Sequence, residues 1–248
     1  MKSKGVSSEL ILRLFSSYAY VHNCFFILNQ GQRGEMMNVK KEDMLLYGIT
    51  DRAWLNGRSL SEVVEESLKG GVTILQIREK NLSNDEFLEE AKKIKELCKL
   101  HKVPLIINDN VEIAKAIDAD GVHLGQGDME ITKAREILGR DKIIGITAKT
   151  VEQAVTAERN GADYLGSGAI YATGTKSDAK RLSVESLKEI CDSVDIPVVA
   201  IGGLTYDNID ILKDSGIDGI AVVSAIYASA DICKTTKALK EKIAFLLS

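Results

Sequence analysis

The feature that most constrains this chain is an alternation beginning near Met44 and running to the C-terminus. Short apolar, β-branched runs alternate with stretches of helical periodicity. The runs fall at 45–50, 72–77, 104–108, 121–123, 143–147, 164–166, 197–201 and 219–222. Their continuous apolar character is that of parallel strands covered on both faces. Between the second and third runs, Phe87, Leu88, Ala91, Ile94 and Leu97 form an apolar stripe at helical spacing. Ser61, Ser83, Ser183 and Thr205 stand where helices are expected to start, and are read as caps. Eight units with no strand left over fit an α/β fold closed as a (β/α)8 TIM barrel better than an open sheet, and no GxGxxG follows the first run. The unit between Asn108 and Gly121 is the shortest, with room for a helix of about two turns.

The 248 residues suit one barrel, and 45% hydrophobic with 27% charged residues is ordinary globular composition. A formal net charge of −4 excludes a global basic field for nucleic acid or an anionic membrane. Phosphate binding would therefore have to be local. Cys24, Cys98, Cys191 and Cys233 show no zinc spacing and read as thiols of a reducing, cytoplasmic compartment. Residues 1–36 do not share the alternation. The apolar stretch at 10–28 is interrupted by Arg13, His22 and Asn23, so it is not a clean membrane span. The expectation is a barrel over 37–248. It is preceded by an extension that is disordered, a weak targeting segment, or upstream sequence ahead of a true start at Met36 or Met37. A native N-terminus at or near Met1 would refute the last.

Chemistry in such barrels sits at the carboxyl ends of the strands, where three clusters lie. If the second strand stays extended, Gln76, Arg78 and Lys80 share one side, a pairing of amide and cations suited to pyrophosphate. Asn108, Asp109 and Asp128 follow on the next two strand ends. Two carboxylates without a Cys or His ligand pair suit a hard, oxygen-liganded cation such as Mg2+, although an Asn-Asp pair before a helix is also a common cap. Gly202-Gly203 and Val223-Ser224-Ala225-Ile226 close the last two strands ahead of helices and form a backbone anion cradle. Between these clusters, 166–176 is a small-residue loop able to close over a substrate. Two separable anion sites suit a reaction that joins two phosphorylated molecules.

These residues, in this order, resemble those of the thiamine phosphate synthase family. The motifs are Gln76-x-Arg78-x-Lys80, Asn108-Asp109, His123-x-Gly125-Gln126-x-Asp128, the loop from Gly166 to Lys176, Gly202-Gly203 and Ser224-Ala225-Ile226. The resemblance covers the barrel and none of residues 1–36. It implies a magnesium-dependent transferase of thiamine biosynthesis. 4-Amino-2-methyl-5-hydroxymethylpyrimidine pyrophosphate would lose pyrophosphate through a pyrimidine carbocation, which the nitrogen of 4-methyl-5-(2-phosphoethyl)thiazole captures to give thiamine phosphate.

Carried over by position, Asp109 and Asp128 hold the metal. Gln76, Arg78, Lys80, Asn108, Thr147 and Lys176 bind the pyrimidine pyrophosphate, with Arg78, Lys80, Thr147 and Lys176 closest to the chemistry. Thr173, Thr175, Gly202, Val223 and Ser224 bind the thiazole phosphate. Thr147 replaces a frequent serine, and Lys149 a frequent histidine. Ala169 and Ala172 replace prolines, which increases the entropy of the unfolded loop by roughly 0.4–1 kcal/mol each. His123 falls near the substrates or serves as a structural hydrogen-bonder. The expected partners are these two small molecules, with a homo-oligomer left open. A thiazole tautomerase-like barrel, a non-catalytic sensor of phosphorylated ligands and a phosphosugar isomerase barrel are the alternatives. Gln76, Asn108, Asp109 and Asp128 together argue against the first. The presence of Arg78, Lys80, Asp109 and Asp128 argues against the second, and the third leaves the first two clusters unexplained.

Overall fold

The computed structural model describes residues 39–172 and 181–248. The readings of the N-terminal extension, and of Thr173, Thr175 and Lys176, lie outside the described residues. Eight parallel strands, β1 (Leu46–Ile49), β2 (Ile74–Ile77), β3 (Leu105–Asn108), β4 (Gly121–Leu124), β5 (Ile143–Thr147), β6 (Tyr164–Gly168), β7 (Val198–Ile201) and β8 (Gly219–Val222), pair each with the next. β1 pairs back onto β8 and closes the barrel, with Leu46 beside Ile220 and Gly48 beside Val222. Every run read as a strand is one, to within two residues at either end.

The helices are α1 (Leu60–Gly70), α2 (Asn84–His101), α3 (Val111–Ala116), α4 (Ile131–Leu138), α5 (Val151–Arg159), α6 (Val184–Asp192), α7 (Ser224–Tyr227) and α8 (Ile232–Leu246). Ser83 and Ser183 cap α2 and α6 as expected, accepting from the backbone N–H groups of Glu86 and Ser186. Ser61 does not cap α1. Ser59 does, because Glu62 lies three residues on and returns a bond to the Ser59 N–H at 2.7 Å, completing a capping box. Thr205 starts no helix either. After β7 the chain turns and makes only a 3-10 turn at Ile209–Leu212, while the Thr205 N–H donates to Asn208 Oδ1.

The strands carry two apolar layers. The larger lies between strands and helices. The smaller fills the barrel with Met44, Tyr47, Ile49, Ile74, Ile106, Ile143, Tyr164, Val199 and Ala221. Two of these are tyrosines at 1% and 0% exposure, so their hydroxyls need partners inside. Room for the Tyr164 ring comes from Gly145 on the neighbouring strand, where a Cβ would lie 2.0 Å from Tyr164 Cζ. The alternation that sends these apolar side chains inward also delivers Gln76, Asn108, His123 and Thr147 to the upper end of the barrel.

Candidate active site

The carboxyl ends of the strands open on a cavity of ≈ 440 Å³. Gln76 and Arg78 from β2, Asn108 and Asp109 from β3, and His123 from β4 line it. So do Thr147 from β5, Gly202 and Gly203 after β7, and Val223 and Ser224 after β8. Ile49, Val199, Ile201 and Ala221 supply apolar wall.

At β2, strand pairing ends at Ile77. The Arg78 N–H donates to buried Thr50 Oγ1 at 3.1 Å, and its guanidinium lies 3.5 Å from Asp51 Oδ2. Glu79 turns the other way, its Oε2 accepting from Arg52 Nε at 2.8 Å, and burial pushes its carboxyl above the usual range. The strand alternation therefore stops before Lys80, which is exposed and is not among the cavity-lining residues. The expected triad reaches the cavity as a pair, Gln76 and Arg78.

At β3 and β4, Asp109 is held at φ 62°, with its N–H bonded to the His123 carbonyl at 2.9 Å. The capping role open to Asn108-Asp109 falls to the next residue, Asn110, whose side chain accepts from the Ile113 N–H to start α3. Asp109 is thereby left at the cavity wall. Asp128 is exposed, and its Oδ2 accepts from the Gly125 N–H at 2.7 Å. A Cβ on Gly125 would come within 3.0 Å of that oxygen, so the glycine makes a place for the carboxylate. No group of three or more His, Cys, Asp or Glu suited to a metal occurs among the described residues. Mg2+ takes only one or two protein carboxylates and completes its octahedron with substrate phosphate and water. Two hard oxygen donors on adjacent strand ends fit that requirement.

On the opposite rim, Gly202 and Gly203 have φ of 104° and 63°. A Cβ on Gly202 would lie 2.5 Å from Ala169 Cβ, and one on Gly203 2.7 Å from Tyr171 Cβ. The helix expected directly after them is replaced by the turn described above, so their backbone contributes without a helix terminus. α7 is a single turn, with Ser224 as its first residue. The loop after β6 starts later than the sequence suggested, since β6 runs on to Gly168. Ile170 N–H then bonds Ile201 O and Tyr171 N–H bonds Gly202 O, each at 3.0 Å. On the far side of the loop, Leu182 N–H returns to Ala169 O at 2.7 Å and Arg181 Nε to Ile170 O at 2.9 Å.

Along the cavity floor, where Tyr47, Gln76, His123 and Thr147 all contribute to the lining, runs a chain of side-chain hydrogen bonds that sequence reading missed. Gln76 Nε2 donates to the Tyr47 hydroxyl at 2.8 Å, which meets the Tyr164 hydroxyl at 2.7 Å. Tyr164 meets His123 Nδ1 at 2.9 Å, and His123 Nε2 meets Thr147 Oγ1 at 3.0 Å. Burial pushes both phenols well above the ordinary tyrosine range, so both stay protonated. The available signal was a tyrosine inside each of two buried strands, together with Gly145 across from the Tyr164 ring and Gly166 across from the His123 ring.

Lys149 and Gln153 complete the wall near β5, the Lys149 N–H donating to Gln153 Oε1 at 2.8 Å. No helix among the described residues is long and apolar enough to cross a membrane.

The family model for thiamine monophosphate synthase matches residues 46–226. A thiamine-phosphate synthase of Clostridium acetobutylicum is 53% identical over 194 residues, 78% of this chain and 92% of that protein. One from Clostridium tetani is 50% identical over 203 residues, 82% of this chain and 97% of its own length. The solved structure of a thiamine phosphate pyrophosphorylase from Pyrococcus furiosus aligns with a TM-score of 0.78 at 40% identity. The match covers 84% of this chain and 99% of that one.

Proposed function

The chain belongs to the thiamine monophosphate synthase family, and from that premise we infer that it is a transferase of thiamine biosynthesis joining a pyrimidine pyrophosphate to a thiazole phosphate. The observation that carries the reading is that one cavity is lined both by polar side chains after β2 and β3 and by the glycine and serine backbone after β7 and β8, which we read as two anion sites. Arg78, Asn108 and Asp109 stand on one, and Gly202, Gly203, Val223 and Ser224 on the other. A single-phosphate enzyme needs only one.

On this reading the pyrimidine pyrophosphate lies toward β2–β5. Arg78 neutralises charge on the departing pyrophosphate; Lys80, which does not line the cavity, would join it only by turning in from its exposed position, and Lys176 is assigned the same task. Asn108 and Thr147 offer it hydrogen bonds, and Gln76 meets the pyrimidine end. Asp109 and Asp128 would hold Mg2+, which when bound supplies further neutralisation of the leaving group. The C–O bond to pyrophosphate breaks with both electrons leaving on oxygen. The thiazole ring nitrogen then donates its pair to the exposed methylene carbon. The protein's task is to place these atoms and keep the site dry, which the apolar wall of Ile49, Val199, Ile201 and Ala221 serves. Thr173 and Thr175, with the β7 and β8 backbone, hold the thiazole phosphate. The substrates are small, soluble phosphorylated molecules, and we place the reaction in the cytoplasm.

The test is an assay with both phosphorylated substrates, with and without Mg2+. Formation of thiamine phosphate that stops in chelator and returns with Mg2+ is the expected outcome. No product, or undiminished turnover in chelator, refutes the reading.

A further inference from the structure

The hydrogen-bonded chain at the cavity floor has a direction, and the direction decides what Thr147 offers to a ligand. Four contacts link five side chains from five strands: Gln76, Tyr47, Tyr164, His123 and Thr147. Each contact needs one hydrogen. Gln76 fills the first by donating from its amide to Tyr47. Tyr47 and Tyr164 each have a single hydroxyl hydrogen, lie at 1% and 0% exposure, and each hydroxyl already meets two members of the chain. If Tyr47 donates to Tyr164 and Tyr164 to His123 Nδ1, every hydrogen has an acceptor. If instead Nδ1 carried a hydrogen toward Tyr164, one buried phenol would have no acceptor for its own. That costs about 1–3 kcal/mol. The imidazole therefore accepts at Nδ1 and carries its hydrogen on Nε2, which donates to Thr147 Oγ1. With one lone pair occupied from below, Thr147 has its own hydrogen left to give. Its backbone is fixed by Gln126 Nε2, which donates to the Thr147 carbonyl at 2.7 Å.

We propose that Gln76, Tyr47, Tyr164 and His123 form a one-way relay that commits the Thr147 hydroxyl to donating into the cavity. His123 and Tyr164 are then positioning residues for Thr147. Burial supports the scheme by keeping both phenols protonated, and Gly145 and Gly166 by leaving room for the Tyr164 and His123 rings. A threonine free to rotate offers an anion a lone pair as readily as a hydrogen. One held in this way cannot give its hydrogen to His123 and keeps it for the cavity, beside a second lone pair. The inference rests on the function proposed above for the identity of the anion, but the relay is a property of the unliganded protein.

The experiment has two arms. In unliganded protein, long-range 1H–15N spectra of the imidazoles report the tautomer, with the His123 signal assigned by its loss in His123→Gln. The expected pattern has Nε2 protonated and Nδ1 bare. An Nδ1–H tautomer or a doubly protonated ring overturns the relay, whatever the enzyme does in the assay. The second arm is a double-mutant cycle on kcat with Tyr164→Phe and Thr147→Val. Tyr164→Phe is expected to lower kcat about 3–10-fold, the scale of one ordinary hydrogen bond, with KM changed less. In the Thr147→Val background it should lower kcat by less than about 2-fold, since the group it directs is gone. Equal effects in both backgrounds overturn the proposal. Absence of thiamine phosphate formation by the unmutated protein would instead refute the proposed function and leave the spectroscopic arm to decide the relay.

Discussion

Substituting Gly145 by alanine tests the packing that supports the buried chain. The added methyl would sit 2.0 Å from Tyr164 Cζ and 2.3 Å from both its Cε1 and hydroxyl oxygen. Ordinary carbon contacts lie at about 3.5–4.0 Å, so the ring must retreat by roughly 1.5–2 Å in a place with no free surface. A retreat of that size takes the hydroxyl away from Tyr47 and His123, now at 2.7 and 2.9 Å. Overpacking costs about 1–3 kcal/mol, and each buried hydrogen bond lost about 0.5–1.5 kcal/mol. The total is roughly 2–6 kcal/mol. At about 2–4 °C per kcal/mol for a domain of this size, Tm should fall by no less than about 4 °C. Differential scanning calorimetry reads this directly. Gly127→Ala is the control. Nothing lies within 4 Å of its added Cβ, and a change within about 0.5 kcal/mol is expected. The decisive comparison is Gly145→Ala in a Tyr164→Leu background, where the cost should shrink by at least about 1 kcal/mol. An undiminished cost there would show that the ring is not what the methyl meets, and the reasoning would fail.

Asp109→Asn and Asp128→Ala should each lower kcat/KM by about 10–1000-fold and raise the Mg2+ concentration needed for half-maximal rate, with unchanged circular dichroism. A magnesium requirement identical to wild type in both variants contradicts the assigned roles. Ser59→Ala should cost about 1 kcal/mol in urea denaturation through loss of the α1 cap, whereas Ser61→Ala should stay within about 0.5 kcal/mol. The reverse order would return the cap to Ser61. Burial pushes the Cys98 and Cys191 thiols up to about 12 from an ordinary value near 9. Each therefore contributes stability that is complete below about pH 9 and is lost as pH rises toward 12. At pH 8 buried Cys98 should resist alkylation in native protein and react fully in denaturant. Rapid native labelling of Cys98 would refute its burial.

The barrel was legible because strands covered on both faces must be apolar throughout, and eight such runs admit few other closures. The site was legible where a residue sits on a strand, since alternation then fixes its side. Gln76, Asn108, His123 and Thr147 are of this kind. Lys80 lies beyond the last ladder bond of β2, where Glu79 is drawn to Arg52 and no period applies. The Ser59 cap was available to a stricter use of the capping box, because Ser59 has Glu62 at the third position and Ser61 has Val64. The absence of an α-helix after Gly203 was not readable from its caps, since Thr205 and Asn208 serve a turn as well as a helix start. The relay was hidden for a different reason. Its members come from five strands, and only the closed barrel brings Tyr47 within reach of Tyr164.

The pairing of β1 with β8 has a consequence for how the protein is made. The first strand of the barrel to leave the ribosome has its final neighbour in the barrel's last one. Until Gly219–Val222 has emerged, β1 and β7 both carry unpaired backbone edges, templates on which another nascent chain can add a strand. Sheet-edge protection thus arrives all at once, at the end of synthesis. A truncation anywhere before β8 should yield an aggregating polypeptide rather than a smaller barrel.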